Sequence, residues 1–183
     1  MNTYPPFPDK KYHIIYADPP WDYKGQRQHN GPDGHETGGA IVHYPTITTK
    51  KMKEIDIQKI TEEDCLLFMW ATSPHLDQAI ELGKAWEFNW ATIGFVWDKL
   101  KVNPGFYTLS QVELCLIFKK GKIPTPRGKR NIRQVVYVKR SKHSEKPEEV
   151  RRRIEMMFPI HKKIELFARK KVDGWDSWGN EIN

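Results

Sequence analysis

The sequence predicts a single α/β domain built on a mainly parallel, doubly wound β-sheet. Six apolar runs of strand length occur along the chain, and amphipathic helical patterns lie between some of them. Several runs are apolar at every position, which is typical of strands that are covered on both faces. Since 183 residues fall within the size range of one domain, we expect one compact domain over residues 1–183.

The predicted strands are bounded by polar or turn-forming residues. They are His13–Ala17, Cys65–Trp70, Thr92–Trp97, Glu113–Phe118, Val135–Val138 and Ile164–Ala168. Two helices are predicted from apolar positions that share one helix face. These positions are Leu76, Ala79, Ile80 and Gly83 in the first helix, and Val150, Ile154 and Met157 in the second. The second helix is predicted to begin at Pro147, because two glutamates follow this proline and both features favour a helix start.

Three segments are predicted to be flexible loops, at residues 22–44, 99–111 and 119–133. The first contains five glycines, and the third carries two prolines among basic residues. Ligands of open α/β sheets bind outside the carboxyl ends of the strands. Because the first two loops follow predicted strands, we expect them to flank the binding site.

The charge of the chain favours a polyanionic partner such as nucleic acid. Its formal net charge is +7 and its isoelectric point is near 9.3. Basic residues cluster at positions 119–133, 139–142 and 151–153. The first cluster suits contacts with phosphates in a mobile loop. The arginine triplet at 151–153 is expected to form a solvated helix face.

The sequence shows no secretory signal and no apolar run long enough to span a bilayer. Cys65 and Cys115 each lie in an apolar run, where a thiol usually acts as a small buried side chain. His29, His35 and His43 lack the spacing of metal ligands. We therefore expect a soluble cytoplasmic protein with reduced cysteines and without a metal site.

The tetrapeptide Asp18-Pro19-Pro20-Trp21 ends the first predicted strand and carries the chemistry of the chain. The amino nitrogen of adenine is a weak nucleophile, because its lone pair is delocalised into the ring. Hydrogen-bond acceptors at both of its protons favour a tetrahedral, reactive nitrogen. The carboxylate of Asp18 and the carbonyl of Pro19 can supply these two acceptors, while Pro20 removes a competing donor.

Trp21 is expected to stack on the target base, which must leave a duplex before it can react. The same four residues could also form a tight turn in which Asp18 caps backbone amides and Trp21 packs. Four other tryptophans lie on strand or helix patterns and are expected in the core. They are Trp70, Trp86, Trp90 and Trp97.

The tetrapeptide resembles the D-P-P-W motif of N6-adenine methyltransferases related to the catalytic subunit of the eukaryotic messenger-RNA adenosine methyltransferase. The resemblance continues in order along nearly the whole chain. Its seven further segments are Tyr44–Ile47, Leu67–Trp70, Ile93–Lys99, Glu113–Ile117, His143–Glu148, Lys163–Arg169 and Trp175–Glu181. Each match is weak alone, but together they identify the chain as a member of this family.

This resemblance implies a Rossmann-like methyltransferase fold in permuted order, with the catalytic motif first and most of the cofactor site last. It also implies S-adenosylmethionine as the methyl donor. The residues expected to contact this cofactor are Asp18, Lys146, Phe167, Arg169, Asn180 and Glu181. Those expected to bind the substrate are Trp21, Tyr44 and Lys99.

The chain departs from the family pattern in two places. Lys170 and Lys171 stand where relatives carry a histidine and an asparagine. An acidic residue that relatives place before the catalytic strand has no counterpart here. The short leading segment, with Phe7 and Pro8, is expected to hold the cofactor's adenine instead.

DNA is favoured as the substrate, because the chain carries no evident RNA-binding module. Two alternatives stay open: the same chemistry on RNA adenosine, and a non-catalytic family member that only binds nucleic acid. The source of sequence specificity also stays open among the predicted loops, a partner subunit and a second copy of the chain in a homodimer.

Overall fold

The computed structural model describes residues 4–22, 47–104, 107–140 and 145–182. In these ranges one sheet contains β1 (Tyr12–Ala17), β2 (Thr61–Ala71), β3 (Asn89–Asn103), β4 (Ser110–Lys120), β5 (Val135–Tyr137), β6 (Lys163–Leu166) and β7 (Asp176–Trp178). The α-helices are α1 (Thr49–Lys53), α2 (Leu76–Ala85) and α3 (Glu148–Met157). Short 3₁₀ helices, Ile57–Ile60 and Ser73–His75, precede β2 and α2. No helix of the described ranges is long and apolar enough to cross a membrane.

The strand order in the sheet is β5-β3-β4-β2-β1-β6-β7. β1 lies between β2 and β6 and runs parallel to both of them. The pairs β3–β5 and β6–β7 are also parallel, whereas β4 runs antiparallel to β2 and β3. The prediction of a mainly parallel α/β sheet is confirmed.

Two apolar clusters cover opposite faces of the sheet, because successive side chains of a strand point to opposite sides. In β1, Ile15 belongs to one cluster and Tyr16 to the other. Leu82 of α2 packs into the first cluster, and Ile154 of α3 packs into the second. Helices therefore cover both faces, as the doubly wound prediction requires. Each fully buried large apolar side chain contributes about 1.5–3 kcal/mol to stability.

All six predicted strands are present, with shifted ends. β6 ends at Leu166 rather than at Ala168, because Phe167 adopts a positive φ of 58° that leaves the extended conformation. β7 was not predicted. Its three residues, Asp176–Trp178, are too few and too polar to form a recognisable strand pattern.

The predicted loop at 99–111 is wrong in its bounds. β3 continues to Asn103 and β4 begins at Ser110, so only residues 104–109 connect them. This connection is too short for a crossover, so the two strands pair as an antiparallel hairpin. A register shift between Asp98 and Asn103, with a positive φ at Leu100, interrupts the ladder and accounts for the irregular sequence pattern.

The other two predicted loops have different outcomes. In the segment 119–133, the first two residues belong to β4, and residues 121–133 form no helix or strand. Backbone amides of Gly128 and Lys129 donate to the carbonyls of Met157 and Met156, which ties this segment to the end of α3. Residues 23–44 of the first predicted loop lie outside the described residues.

Two predictions about side-chain burial are wrong. Trp90 is 51% exposed, whereas Trp70, Trp86 and Trp97 are buried as predicted. Trp90 lies near the start of β3, where this strand has no β5 neighbour. Arg151 is also not part of a solvated face.

Arg151 is instead 6% exposed and buried against the sheet. Its guanidinium lies 2.7 Å from the carboxylate of Glu165 and stacks over the ring of Tyr16. The other two arginines of the triplet pair with Glu149 on the helix. The first arginine of the triplet therefore forms a buried ion pair with Glu165.

Candidate active site

The candidate site lies where the parallel strands end. Ala17, the last residue of β1, is level with Met69 of β2 and Leu166 of β6. Asp18 therefore leaves the sheet between two buried strands. Lys146, at the start of α3, and the residues after β6 and β7 reach the same edge of the sheet. This edge is the one at which open α/β sheets bind ligands.

The backbone of the Asp18–Trp21 segment forms a closed turn. The Trp21 amide donates to the Pro19 carbonyl at 2.9 Å, and the Ile47 amide donates to the Pro20 carbonyl at 3.1 Å. Trp21 also forms an isolated parallel bridge with Ile47. A carbonyl oxygen has two lone pairs, so Pro19 keeps the capacity to accept a second hydrogen bond.

Trp21 lies inside the first apolar cluster and is 4% exposed. Its indole N–H donates to the Trp70 carbonyl at 3.1 Å, and its ring stacks on His75 with centroids 5.7 Å apart. Trp21 thus anchors the turn that carries Asp18, and its stacking on a target base stays a prediction.

His75 is a site residue that the sequence analysis missed. It follows β2 in a 3₁₀ turn, and its Nδ1 lies 2.8 Å from the Thr72 hydroxyl. Burial lowers the pKa of His75 below its ordinary value, although contacts with Asp22 and Asp77 oppose this. A neutral imidazole is therefore stacked under Trp21. The feature of the sequence that could have identified His75 is its position just after an apolar predicted strand.

A buried line of alternating charges runs away from Asp18. The Lys146 ammonium lies 3.1 Å from Oδ1 of Asp18 and 3.1 Å from Oε2 of Glu113. The other oxygen of Glu113 lies 3.4 Å from the Lys99 ammonium. The ring of Trp70 covers Lys146 at 5.7 Å. Two carboxylates and two ammonium groups thus neutralise one another inside the protein.

The pKa values of these groups follow from burial and from their neighbours. Burial raises the pKa of Asp18; the positive charge of Lys146 opposes this and the negative charge of Glu113 adds to it. Burial would also raise the pKa of Glu113, but Lys146 and Lys99 outweigh it and hold this pKa below its ordinary value. Burial would lower the pKa of Lys146, but Asp18 and Glu113 raise it. Lys146 and Glu113 are therefore firmly charged at neutral pH.

Lys99 lies buried at the far end of the charge line. It is 6% exposed, and its ammonium points to Glu113. In the structure it is a buried counter-ion of Glu113, and its role as a substrate contact stays a prediction. Glu113 was not predicted as a site residue, because the register that sets it opposite Trp97 cannot be read from the sequence. Tyr44, the other predicted substrate contact, lies outside the described residues.

The residues expected at the cofactor follow β6 and β7. Phe167 is buried, whereas Arg169, Asn180 and Glu181 are exposed. A Cβ at Gly179 would lie 2.1 Å from the Ala168 carbonyl, so only glycine allows the two chain segments to approach this closely. The charge of Arg169 acts on Asp18 and lowers its pKa.

The leading segment adds an aromatic wall to the same edge. Tyr4 stacks on Trp178 with centroids 4.5 Å apart, and Phe7 lies 4.6 Å from the same ring. Phe167 contacts both Tyr4 and Trp178 edge to face. Burial, aided by the charge of Glu181, raises the pKa of Tyr4 to about 12. Its phenol thus stays protonated and can donate a hydrogen bond.

A cavity of about 360 Å³ adjoins Lys146. Its lining residues are Trp97, Val138, Lys139, Glu145, Lys146, Pro147, Glu148, Glu149 and Lys170. The Lys170 ammonium lies 2.6 Å from the carboxylate of Glu145 and 2.7 Å from that of Glu148. This lysine therefore ties the segment after β6 to the start of α3.

Comparison with known proteins places the chain among methyltransferases. The MT-A70 family model matches residues 12–181. The chain is 50% identical to the type II methyltransferase M.MunI of Mycoplasma sp, over 98% of this chain and 82% of that protein. It is 26% identical to the N(6)-adenine-specific methyltransferase METTL4 of Mus musculus and 25% identical to the N(6)-adenosine-methyltransferase catalytic subunit METTL3 of Homo sapiens, over 94% of this chain in each case. It spans 38% and 28% of the lengths of those two proteins. The family match covers nearly the whole described fold, and the chain belongs to the MT-A70 family.

Proposed function

We propose that this chain transfers a methyl group from S-adenosylmethionine to the N6 amino group of adenine in DNA. The observation that carries this proposal is the largely buried carboxylate of Asp18, which lies at the end of β1 beside the carbonyl of Pro19. The similarity to M.MunI, a type II methyltransferase at 50% identity, supports the choice of DNA. The names of the more distant relatives support N6 of adenine as the acceptor.

The residues at this edge fit S-adenosylmethionine by their chemistry. The Lys146 ammonium suits the carboxylate of the methionine moiety, and the aromatic wall of Tyr4, Phe7 and Phe167 suits a purine ring. Asn180 and Glu181 offer a donor and acceptors for ribose hydroxyls. Bound there, the cofactor would supply a methyl group already activated on a sulfonium.

Asp18 acts on the target amine by orienting it. Its carboxylate accepts a hydrogen bond from one amino proton, and the free lone pair of the Pro19 carbonyl accepts one from the other. These bonds favour a tetrahedral nitrogen whose lone pair points at the methyl group. Burial raises the pKa of Asp18, and the positive charge of Lys146 opposes this rise and favours the ionised carboxylate. Trp21 and His75 hold the turn in place beneath it.

A transfer assay with labelled S-adenosylmethionine tests this function. Duplex DNA, single-stranded DNA and RNA are each incubated with the wild type, with Asp18→Asn and with Asp173→Asn as a matched control at an exposed carboxylate. We expect transfer to DNA adenine, a loss of about 100-fold or more in Asp18→Asn, and no loss in the control. Cofactor binding is measured in parallel by calorimetry.

Each outcome of this assay has a distinct meaning. Labelling of RNA alone would contradict the choice of DNA and support the RNA alternative. Cofactor binding without transfer to any polymer would support a non-catalytic nucleic-acid-binding protein. Full activity of Asp18→Asn would contradict the role assigned to the carboxylate.

A further inference from the structure

The basic clusters of the chain lie at opposite edges of the sheet. β4 runs antiparallel to β2, so Leu114 near its start is level with Ala71 at the end of β2, and Lys120 is level with Cys65. At about 3.4 Å per residue, Lys120 lies roughly 24 Å along the strand from Glu113 in the charge line. The basic segment that follows β4 therefore begins far from Asp18.

The middle of that segment, as far as Arg130, also stays at the far edge, whereas Gln134 accepts a hydrogen bond from Val96 and has returned toward the site edge. Lys129 is bonded through its backbone to Met156, near the end of α3. α3 begins beside Lys146 at the site and runs away from it, and its ten residues span about 15 Å. The sequence indicated the basic residues at 119–133 as a phosphate contact. Those at 119–130, here called the distal cluster, are thus remote from the candidate site.

A second group of cations lies at the site itself. β5 runs parallel to β3, so the residues after Tyr137 emerge at the site edge. The Arg140 amide donates to the Lys99 carbonyl at 3.2 Å, and the Val138 amide donates to the Asp98 carbonyl at 3.2 Å. Lys139 lines the cavity beside Lys146. Lys101 is exposed two residues beyond Lys99 on β3.

The side chains of this second group of cations form no ion pairs with carboxylates of the described residues. Lys101, Lys139 and Arg140, here called the edge cations, are exposed. In the described part of the chain none of the three side chains forms an ion pair. By contrast, Lys170 at the same cavity is neutralised by two glutamates. Three unpaired cations at the end of the sheet where Asp18 lies suit the phosphates of a polymer whose base enters the site.

We propose that the edge cations form the phosphate-binding track for the DNA strand whose adenine is methylated, and that the distal cluster does not. This inference rests on the proposed function. The track gives affinity and register without reading sequence, because phosphates are the same at every position.

The test compares two triple variants of equal charge change. K101Q/K139Q/R140Q removes the edge cations, and K122Q/K129Q/R130Q removes three exposed cations of the distal cluster. Binding of a fluorescent adenine-containing duplex is measured between 50 and 300 mM KCl without cofactor. We expect the edge variant to raise Kd roughly tenfold or more at 0.1 M salt and to reduce the slope of log K against log salt by about 2 to 3. The distal variant should change neither quantity.

Three results would overturn the track: equal effects of the two variants, an effect of the distal variant alone, or no effect of either. Wild-type binding to RNA or to another protein in place of DNA would also overturn it. Because all six positions are exposed, the melting temperatures of both variants should match the wild type. The binding assay does not require methyl transfer. A wild type that binds DNA but transfers no methyl group would refute the proposed function, whereas the phosphate-binding track is tested by the DNA affinities alone.

Discussion

Glu113→Gln is the change that most directly probes the buried charge line. The substitution keeps the shape of the side chain and removes one negative charge from between two lysines. Lys146 retains Asp18 as a partner at 3.1 Å, but Lys99 loses the carboxylate 3.4 Å away. Since Lys99 is 6% exposed, water cannot replace that partner. The variant therefore leaves an uncompensated buried ammonium.

The expected cost follows from that isolated charge. Breaking a buried pair by removing one partner costs about 3–5 kcal/mol. For a chain of this length each kcal/mol lowers Tm by about 2–4 °C, so Glu113→Gln should lower Tm by roughly 6–20 °C. The double variant Lys99→Met with Glu113→Gln leaves only the neutral pair of Asp18 and Lys146. Its loss should be smaller than the sum of the two single losses by roughly 2 kcal/mol.

Urea denaturation of the wild type, the two single variants and the double variant measures this coupling. Strictly additive losses would refute the charge line as a structural unit. The pH profile of methyl transfer gives a second, independent readout. Since Glu113 raises the pKa of Asp18, its removal should move the acid limb of the profile to lower pH even though the protein is less stable. A shift to higher pH would contradict the assignment of that limb to Asp18.

Two further predictions concern stability. Arg151→Met leaves Glu165 buried without its partner and should cost about 3–5 kcal/mol of stability at pH 7. Because burial raises the pKa of Glu165, this loss of stability should be smaller at pH 5. Urea unfolding at both pH values measures the loss, and equal losses would contradict the prediction. Burial, with the charges of His13 and Lys163, lowers the pKa of His161 against the opposing Thr125 carbonyl. Its stabilising effect is thus present above the ordinary value of 6.5 and is lost as pH falls below it. His161→Gln should flatten the fall in Tm between pH 7 and 5, and an unchanged slope would refute this.

The elements that could be predicted from the sequence are those that depend on local patterns of apolar and polar residues. β1, from Tyr12 to Ala17, is almost uniformly apolar because it is covered on both faces, and it leads directly to Asp18. The segments after β6 and β7 could be assigned to the same edge because parallel strands end together. Pairing between distant segments could not be read, so the three residues of β7 and the burial of Arg151 were missed. The stacking of Trp21 on His75 could not be read for the same reason, since His75 lies in another element.

The antiparallel β4 accounts for two findings that a fully parallel sheet would not produce. In a parallel strand, polar residues reach the site only after the strand ends. β4 runs in the opposite direction and begins at the site. Glu113, near the start of β4, therefore contacts Lys146, and the buried residues of β4 that follow lead away from the site. The hairpin with β3 then sets Trp97 opposite Glu113 and brings Lys99, two residues on, to the same carboxylate. The same reversal carries the basic residues after Lys120 to the far edge. One inverted strand therefore both supplies the counter-ion that holds Lys146 at Asp18 and separates the distal cluster from the edge cations.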